Sequence, residues 1–392
     1  MSDNYPKIYC DEMIRDDPYS KDIISNFSFP IHNFFADFSQ EVIDPGSIYL
    51  IGVSELWKNS EKVFNICDSG EAKIVFIYLY EGSETLIDHL TLMRMVDKAK
   101  NKNFLIVSGG NCEPEYNNFH SDLLSRRVLL HPGNIDKLSS TQEIYTKANK
   151  PYKFLFLNGT ARVHRKYLIE RFKQENLLDQ SLWTCLDNKP PSQIGYPFLY
   201  LNDGTGKNLI DTVSEYKFLP KEYEIPDISN NLEHLVSTSN TKDDIIKYEL
   251  FGGNWKDGEL APQQYIDTYF SLVTETSFRY NHTMRTEKLW KPIMIGHPFI
   301  VAANPGFYRD LRNLGFKTFD KLIDESFDDE MDMHIRLEKI IQVVKDLCKQ
   351  DLYQFIRAAG EICLYNQHLF IEYTQNTYKE FPKKLVEFIN KS

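Results

Sequence analysis

Short, nearly continuous apolar runs alternate with amphipathic, helix-like stretches along much of this chain. Such runs occupy residues 47–53, 74–80, 104–107, 154–157, 181–185, 269–273 and 298–302. A continuous apolar run is typical of a parallel strand that is buried on both faces. Because helical spacing follows several of these runs, as in residues 163–178, the pattern predicts open α/β sheets that bind ligands beyond the carboxyl ends of their strands.

Two α/β patterns of this kind follow one another, and a polar break near residues 134–151 separates them. A chain of 392 residues is also too long for one ordinary core. We therefore predict an N-terminal α/β domain over residues 1–148 and a second α/β domain over residues 149–348. Helical spacing toward the end of the chain predicts C-terminal helices over residues 349–392 that pack across both domains.

The charge balance and the cysteines narrow the class of protein. The formal net charge is −11 and no dense Lys/Arg cluster occurs, which makes nucleic acid an unexpected partner because phosphate binding needs a basic face. The six cysteines include no C-x-x-C pair and indicate free thiols in a reducing compartment. No signal-peptide pattern and no apolar run of about 20 residues occurs, so we expect a cytoplasmic protein without a membrane span.

The richest chemistry lies between the apolar runs at residues 269–273 and 298–302. Glu275 and Ser277 follow the first run, and Thr286 has the chemistry of a helix N-cap. A helix that begins there directs its dipole and its first N–H groups at any bound anion. Lys288 lies in the first turn, where a cation opposes the dipole, and this misplaced charge suggests an anionic ligand nearby.

The same residues also fit an ordinary surface helix. Thr286 would then be a simple cap, Glu287 a first-turn acid and Lys288 a solvated charge. On either interpretation Pro292 should kink or shorten the helix, because its ring crowds the carbonyl of Lys288. Local pattern alone does not separate a ligand site from a capped surface helix.

A resemblance favours the ligand site. The segments S-L-V-T-E-T-S (271–277) and T-E-K-L-W (286–290) resemble the donor-site signature of the α1,3-fucosyltransferase family, in which F-E-N-S precedes T-E-K-L-W. The segment L-N-G-T-A-R-V-H-R (157–165) is similar to the start of that family's nucleotide-binding domain. The similarity covers roughly residues 152–319, and T-E-K-L-W is its specific part. Thr274 and Thr276 depart from the family pattern, so neither fucose nor GDP follows from it.

The resemblance implies a GT-B fold, with two Rossmann-like domains that face each other across a cleft, to which the helical spacing adds the C-terminal helices. It implies a sugar transfer that inverts configuration without a metal ion or other cofactor. The donor would be a GDP- or UDP-linked sugar, and the acceptor a glycan or another hydroxyl compound. Position by position, Lys288 would bind the pyrophosphate, and Glu287 and Glu275 would hold ribose or sugar hydroxyls. Arg162 or Arg165 would be a second phosphate ligand, with Ser277, Arg285 and Thr286 completing the donor site.

The general base that an inverting transfer needs should come from a strand end of the N-terminal domain. Glu81 and Glu113 are the first candidates, with Asp88 and His120 behind them. The sequence contains no D-x-D after a predicted strand and no H-x-H or H-x-x-x-H, which agrees with an expected absence of metal ligands.

Two other functions stay open at this point. The chain could be a catalytically silent GT-B-fold binding protein, or a viral-type glycosyltransferase that modifies DNA bases, against which the net charge counts. A different Rossmann enzyme has no support, because no G-x-G-x-x-G follows a predicted strand.

Overall fold

The computed structural model describes residues 7–11, 45–78, 100–108, 118–120, 122, 125, 128–130, 133–158, 163–185, 258, 260–276, 278 and 283–390. The chain divides into two compact units, which are described separately here. Unit 1 comprises Met1–Arg127 and Glu372–Ser392, and unit 2 comprises Val128–Ile371. Glu81, Glu113, Asp88, Arg162 and Ser277 lie outside the described residues.

The described strands of unit 1 form one parallel sheet. They are β1 (Ile8–Cys10), β2 (Ile48–Ile51), β3 (Lys73–Tyr78), β4 (Phe104–Ser108) and β5 (Asn118–His120). Neighbours in the sheet are also neighbours in the chain, so the described strands run in the order β1-β2-β3-β4-β5. The apolar runs at residues 47–53, 74–80 and 104–107 are confirmed as the inner strands β2, β3 and β4.

A helix follows β2 at once. Helix α1 (Val53–Ser69) has Gly52 as its N-cap, and it ends at Gly70, whose left-handed backbone (φ 74°) favours glycine. The end of the C-terminal helix also packs in the core of unit 1, because Leu385 and Phe388 cluster with Val75, Ile77 and Leu105. The Lys73 ammonium also donates to the main-chain carbonyl of Phe388 at 2.8 Å.

The described strands of unit 2 form a second parallel sheet with a different order. They are β6 (Phe154–Asn158), β7 (Ser181–Cys185), β8 (Phe270–Thr274) and β9 (Phe299–Ala302). The sheet order is β7-β6-β8-β9. From β6 the chain therefore goes first to one side, to form β7, and later to the other side, to form β8. The pair β6/β8 is a topological switch point, the place where open parallel sheets bind ligands.

Main-chain pairing at the switch point is short. Strands β6 and β8 pair at Phe154–Phe270 and Leu155–Ser271, whereas β6 and β7 pair over five residues. At the carboxyl ends a side-chain bond replaces the ladder, because the Thr274 hydroxyl donates to Asn158 Oδ1 at 2.6 Å. Two polar side chains thus lie buried between the strand ends at the switch point.

Unit 2 also contains helices that precede, separate and follow these strands in the chain. They are α2 (Thr141–Thr146), α3 (Val163–Gln174), α4 (Pro262–Ile266), α5 (Glu287–Ile295), α6 (Phe307–Asn313) and α7 (Met333–Leu347). Helix α5 has a fully buried apolar face, in which Leu289, Trp290 and Ile293 are at most 1% exposed. It keeps Pro292 inside and ends at Ile295, where Gly296 adopts φ 72°. The predicted helix with an N-cap at Thr286 is confirmed.

Unit 2 begins at Val128, whereas the sequence-based division begins the second domain at residue 149. The contacts of helix α2 account for this difference. The Thr141 hydroxyl donates to the Ile295 carbonyl at 3.1 Å, and the Tyr145 hydroxyl donates to the Gly296 carbonyl. The polar composition that marks a break in the sequence therefore belongs to a segment that binds the end of helix α5.

The chain ends in helix α8 (Leu352–Asn390), which both units share. Its residues up to Ile371 belong to unit 2, and those from Glu372 onward belong to unit 1. Within the described part of the chain, no helix, including this one, has the continuous apolar length that a bilayer crossing requires.

Candidate functional site

The candidate site lies at the carboxyl ends of β6 and β8, where α3 and α5 begin. Strand β8 is buried throughout, although it includes the polar residues Ser271 and Thr274, and it leads directly into Glu275. The chain then returns at Thr286, whose extended backbone makes it the N-cap of α5. Sequence order alone thus brings a carboxylate, a hydroxyl and the first turn of a helix to one place.

Glu275 joins the two ends of this loop. Its carboxylate accepts from the Thr286 main-chain N–H at 3.0 Å and from the Thr286 hydroxyl at 2.6 Å. The side chain is fully buried, and burial raises its pKa, while the Lys288 charge and the Thr286 bonds partly oppose that rise. The geometry makes Glu275 a link between strand β8 and the N-terminus of α5, rather than an exposed group.

The first turn of α5 is internally bonded. The Thr286 hydroxyl oxygen accepts from the Lys288 main-chain N–H at 3.3 Å, as an N-cap does. The Thr286 N–H bonds Glu275 as well, so the expectation that the first N–H groups are directed at a bound anion is wrong for both of these groups. The positive end of the helix dipole remains, but side chains of the protein occupy its nearest donors.

Among the described charged groups of the site, Lys288 is the most accessible. Its ammonium lies 2.7 Å from a Glu287 carboxylate oxygen and 3.3 Å from the Thr286 hydroxyl, and its side chain is 22% exposed. Burial acts to raise the pKa of Glu287, but the neighbouring Lys288 charge and its hydrogen bond outweigh this, so the pKa is lowered. The lowered pKa keeps Glu287 ionised beside the partly exposed Lys288 ammonium.

Arg285 precedes the cap and is not available in the same way. Its buried guanidinium forms an ion pair with the partly exposed Asp310 of α6, and the Thr283 hydroxyl donates to the same carboxylate oxygen at 2.7 Å. This pair holds the residues before Thr286 against α6. The structure therefore places Arg285 beside the site as an anchor of the loop.

Arg165 and His164, at the start of α3, bind the main chain that leaves β8. The Arg165 guanidinium donates to the carbonyls of Thr274 and Glu275 at 2.9 and 3.2 Å. His164 Nε2 lies 3.0 Å from the Glu275 carbonyl, which can only accept, so this nitrogen carries the proton. Both side chains are buried. The Arg165 side chain thus contacts the main chain of the candidate site, at Thr274 and Glu275.

The predicted site residues fall into three groups in the structure. Glu275, Thr286, Glu287 and Lys288 come together as one bonded cluster, while Arg165 and Arg285 hold the segments around it. Arg162, Ser277, Glu81, Glu113 and Asp88 lie outside the described residues. His120 ends strand β5 in unit 1. Within the described part of the chain, no three His, Cys, Asp or Glu side chains group as metal ligands would.

Sequence reasoning missed several residues of this site. Local sequence could not indicate the bonds of three of them, because the bonding partners are far away in the chain. The partners lie 116 residues from Asn158, 25 from Asp310 and 111 from His164. Asn158 alone had an indirect signal, since it is the last residue of an apolar run and precedes a Gly-Thr turn sequence.

The chain matches no protein-family model, no curated protein and no solved structure. The resemblance to the α1,3-fucosyltransferases therefore rests on the residues quoted for it, chiefly T-E-K-L-W.

Proposed function

We propose that the chain is a glycosyltransferase of the GT-B architecture, in which unit 2 binds a nucleotide-sugar donor. The observation that carries the proposal is the position of Lys288. This partly exposed cation lies in the first turn of α5, beside the β6/β8 switch point. A parallel sheet with a cation at its switch point is the setting in which α/β proteins bind nucleotide phosphates.

The proposed chemistry uses Lys288 and Glu287 in different ways. The Lys288 ammonium and the positive end of α5 would stabilise the charge that develops on the leaving diphosphate. Glu287, kept ionised by Lys288, would accept hydrogen bonds from ribose or sugar hydroxyls. Glu275 and Thr286 would fix the first turn of α5 so that both groups meet the donor with little rearrangement.

In the proposed reaction the acceptor hydroxyl oxygen bonds to the anomeric carbon as the bond from that carbon to the diphosphate breaks. A base takes the hydroxyl proton, and the nucleoside diphosphate leaves with the bonding electrons. Glu81 and Glu113 stay the predicted candidates for this base. Inversion without a metal ion, and a GDP- or UDP-linked donor, belong to the same proposal.

A donor screen tests the proposal. Purified full-length protein is incubated with a panel of GDP-, UDP- and CMP-linked sugars, and mass spectrometry detects released nucleotide. Isothermal titration with GDP, UDP and CMP measures binding separately. We expect one nucleotide class to bind at sub-millimolar concentration and its sugar to be released. If no nucleotide of the panel binds at that level, the proposal fails.

A further inference from the structure

The chain that leaves strand β8 is held at its carbonyl oxygens by three buried basic side chains. Arg165 and His164 bind the carbonyls of Thr274 and Glu275. A third basic side chain, Arg336 of helix α7, donates to the carbonyl of Phe278. Arg336 is about 170 residues from Arg165 along the chain, and the sequence around it does not indicate a contact with Phe278. The carbonyls of Thr274, Glu275 and Phe278 are thus held from two separate helices.

The Phe278 ring is fixed as well. It stacks on the His164 imidazole, with ring centroids 5.1 Å apart and planes inclined by 12°. The Arg336 guanidinium carbon lies 4.3 Å from the centroid of the same ring. A cation close to an aromatic face adds attraction beyond packing. Phe278 therefore has its ring and its carbonyl oxygen held by the same arginine.

Arg336 is bound by main-chain groups. Besides Phe278, its guanidinium donates to the carbonyl of Glu330 at 2.5 Å and to that of Met331 at 3.4 Å. Burial lowers the pKa of Arg336 to about 10, while the nearby carboxylates of Asp328, Glu330 and Asp332 oppose the change. The group therefore stays charged at neutral pH. A buried cation costs free energy that an apolar side chain of the same size would not.

Hydrogen bonds through Glu275 and Thr286 connect the main chain after β8 to Lys288. Fixing the main chain at Glu275 fixes the direction of its carboxylate, which bonds the Thr286 N–H and hydroxyl. Thr286 in turn caps the helix at the Lys288 N–H and contacts the Lys288 ammonium. A shift at Phe278 would therefore move the cap and the lysine, although neither touches Arg336.

We propose that Arg336, acting through Phe278, is a positioning residue that sets the donor-binding geometry of Glu275, Thr286 and Lys288. The inference rests on the proposed function for its link to nucleotide binding, and on the contacts above for its link to the loop. Arg336 contacts no donor itself. Its role is to keep Glu275, Thr286 and Lys288 in the arrangement that a nucleoside diphosphate needs.

The test compares two conservative arginine variants of the full chain. Arg336→Lys keeps the charge but loses the planar fork that reaches Phe278, Glu330 and Met331 together. Arg171→Lys is the matched control, because Arg171 binds Glu338 of the same helix α7 with two bonds of 2.9 Å and its described partners lie outside the site. Both should lower the melting temperature.

Two readouts then separate positioning from stability. Isothermal titration uses whichever of GDP or UDP binds the wild type more tightly, and hydrogen exchange without ligand follows the amides of residues 275–288. We expect Arg336→Lys to weaken binding about 10- to 100-fold, since misplacement by about 1 Å can have effects of that size. It should also speed exchange in residues 275–288. Arg171→Lys should do neither.

Phe278→Leu serves as a second variant, and should act like Arg336→Lys because it removes the ring that both His164 and Arg336 contact. It decides the test if Arg336→Lys does not fold. Unchanged nucleotide affinity in a folded variant with a lower melting temperature would overturn the inference. If the wild type binds neither nucleotide, the proposed function fails, and exchange alone decides whether Arg336 fixes residues 275–288; unchanged exchange there would overturn this inference too.

Discussion

In each unit, a buried carboxylate that follows a strand accepts a hydrogen bond from the N-cap N–H of a helix. In unit 1, the Asp11 carboxylate, just after β1, accepts from the main-chain N–H of Gly52, the N-cap of α1. In unit 2, the Glu275 carboxylate, just after β8, accepts from the N–H of Thr286, the N-cap of α5. Each buried carboxylate satisfies a donor that the helix itself leaves unpaired.

The two sites differ in charge and in position. The first turn of α1 reads Val53, Ser54 and Glu55 and carries no cation, whereas α5 has Lys288. The described strands of unit 1 lie in the sheet in chain order, so no switch point occurs among them. In unit 2 the strand order changes side at the pair β6/β8. A carboxylate at a helix start is therefore structural by itself. The added lysine and the switch point distinguish the site in unit 2.

The largest expected effect comes from removing the lysine. Lys288→Ala should reduce sugar transfer about 100- to 1,000-fold, because a charged donor aimed at a leaving group commonly contributes that much. Turnover with the best donor from the screen measures it. Lys349→Ala is the control, since Lys349 follows α7, is 68% exposed, and pairs with the exposed Asp346 among the described residues. Near-normal activity of Lys288→Ala would contradict the pyrophosphate assignment.

Acid should destabilise unit 2 through His297. Burial lowers the pKa of this imidazole to about 3, while its bond to the Thr268 carbonyl opposes the change, and Ser271 bonds its other nitrogen. The unfolded chain, with an ordinary pKa near 6.5, takes up the proton first as pH falls. The contribution of His297 is thus complete above pH 6.5 and lost below it, by about 1.4 kcal/mol per pH unit.

Urea unfolding of wild type and His297→Gln between pH 7.5 and 4.5 measures this effect. The glutamine does not titrate, so the variant should be less stable at pH 7.5 but lose less stability on acidification. Parallel pH curves for the two proteins would show that His297 does not carry the effect. Hydrogen exchange at pH 4.5 should then show faster opening in unit 2 residues around His297 than in the core of unit 1.

Removal of the cap in unit 2 should affect both stability and binding. Thr286→Ala deletes the N-cap oxygen and a buried donor to Glu275, and should lower the free energy of unfolding by about 2 kcal/mol. It should also weaken nucleotide binding, since the Lys288 ammonium loses its contact with the hydroxyl. Thr286→Ser, which keeps the hydroxyl, is the control and should restore most of both properties. Equal losses for serine and alanine would remove the hydroxyl from the account.

The corresponding change in unit 1 should affect stability alone. Asp11→Ala removes the carboxylate that bonds Gly52, and should lower the free energy of unfolding by about 1 to 2 kcal/mol. Nucleotide affinity, measured by titration at a temperature where the variant is fully folded, should match the wild type. A loss of affinity as large as that of Thr286→Ala would end the distinction drawn between the two helix starts.

Much of this architecture could be predicted from the sequence because it depends on local pattern. Strands β6 and β8 are mostly apolar runs of β-prone residues, and Thr286 has the chemistry and position of an N-cap. The sheet order could not be predicted, since it depends on which strands meet across long stretches of chain. For the same reason the position of Glu275 just after strand β8 could be predicted, but not its bond to Thr286.

The roles of the arginines were the least predictable part. Arg165 and Arg285 were candidates because of their charge, yet one binds main-chain carbonyls and the other binds Asp310. A guanidinium can bind a phosphate, a carboxylate or a carbonyl with the same donors, and only the fold decides which of them is near. Sequence reasoning therefore placed positive charge correctly in the region without identifying its partners.

Hydrogen exchange of the wild-type protein with and without nucleotide tests the central claim most directly. The claim is that a nucleoside diphosphate binds at the start of α5 and not at the similar start of α1. With saturating GDP or UDP, exchange should slow at residues 286–290 and stay unchanged at residues 52–56. No slowing at residues 286–290 with either nucleotide at millimolar concentration, or slowing at residues 52–56 alone, would contradict the claim.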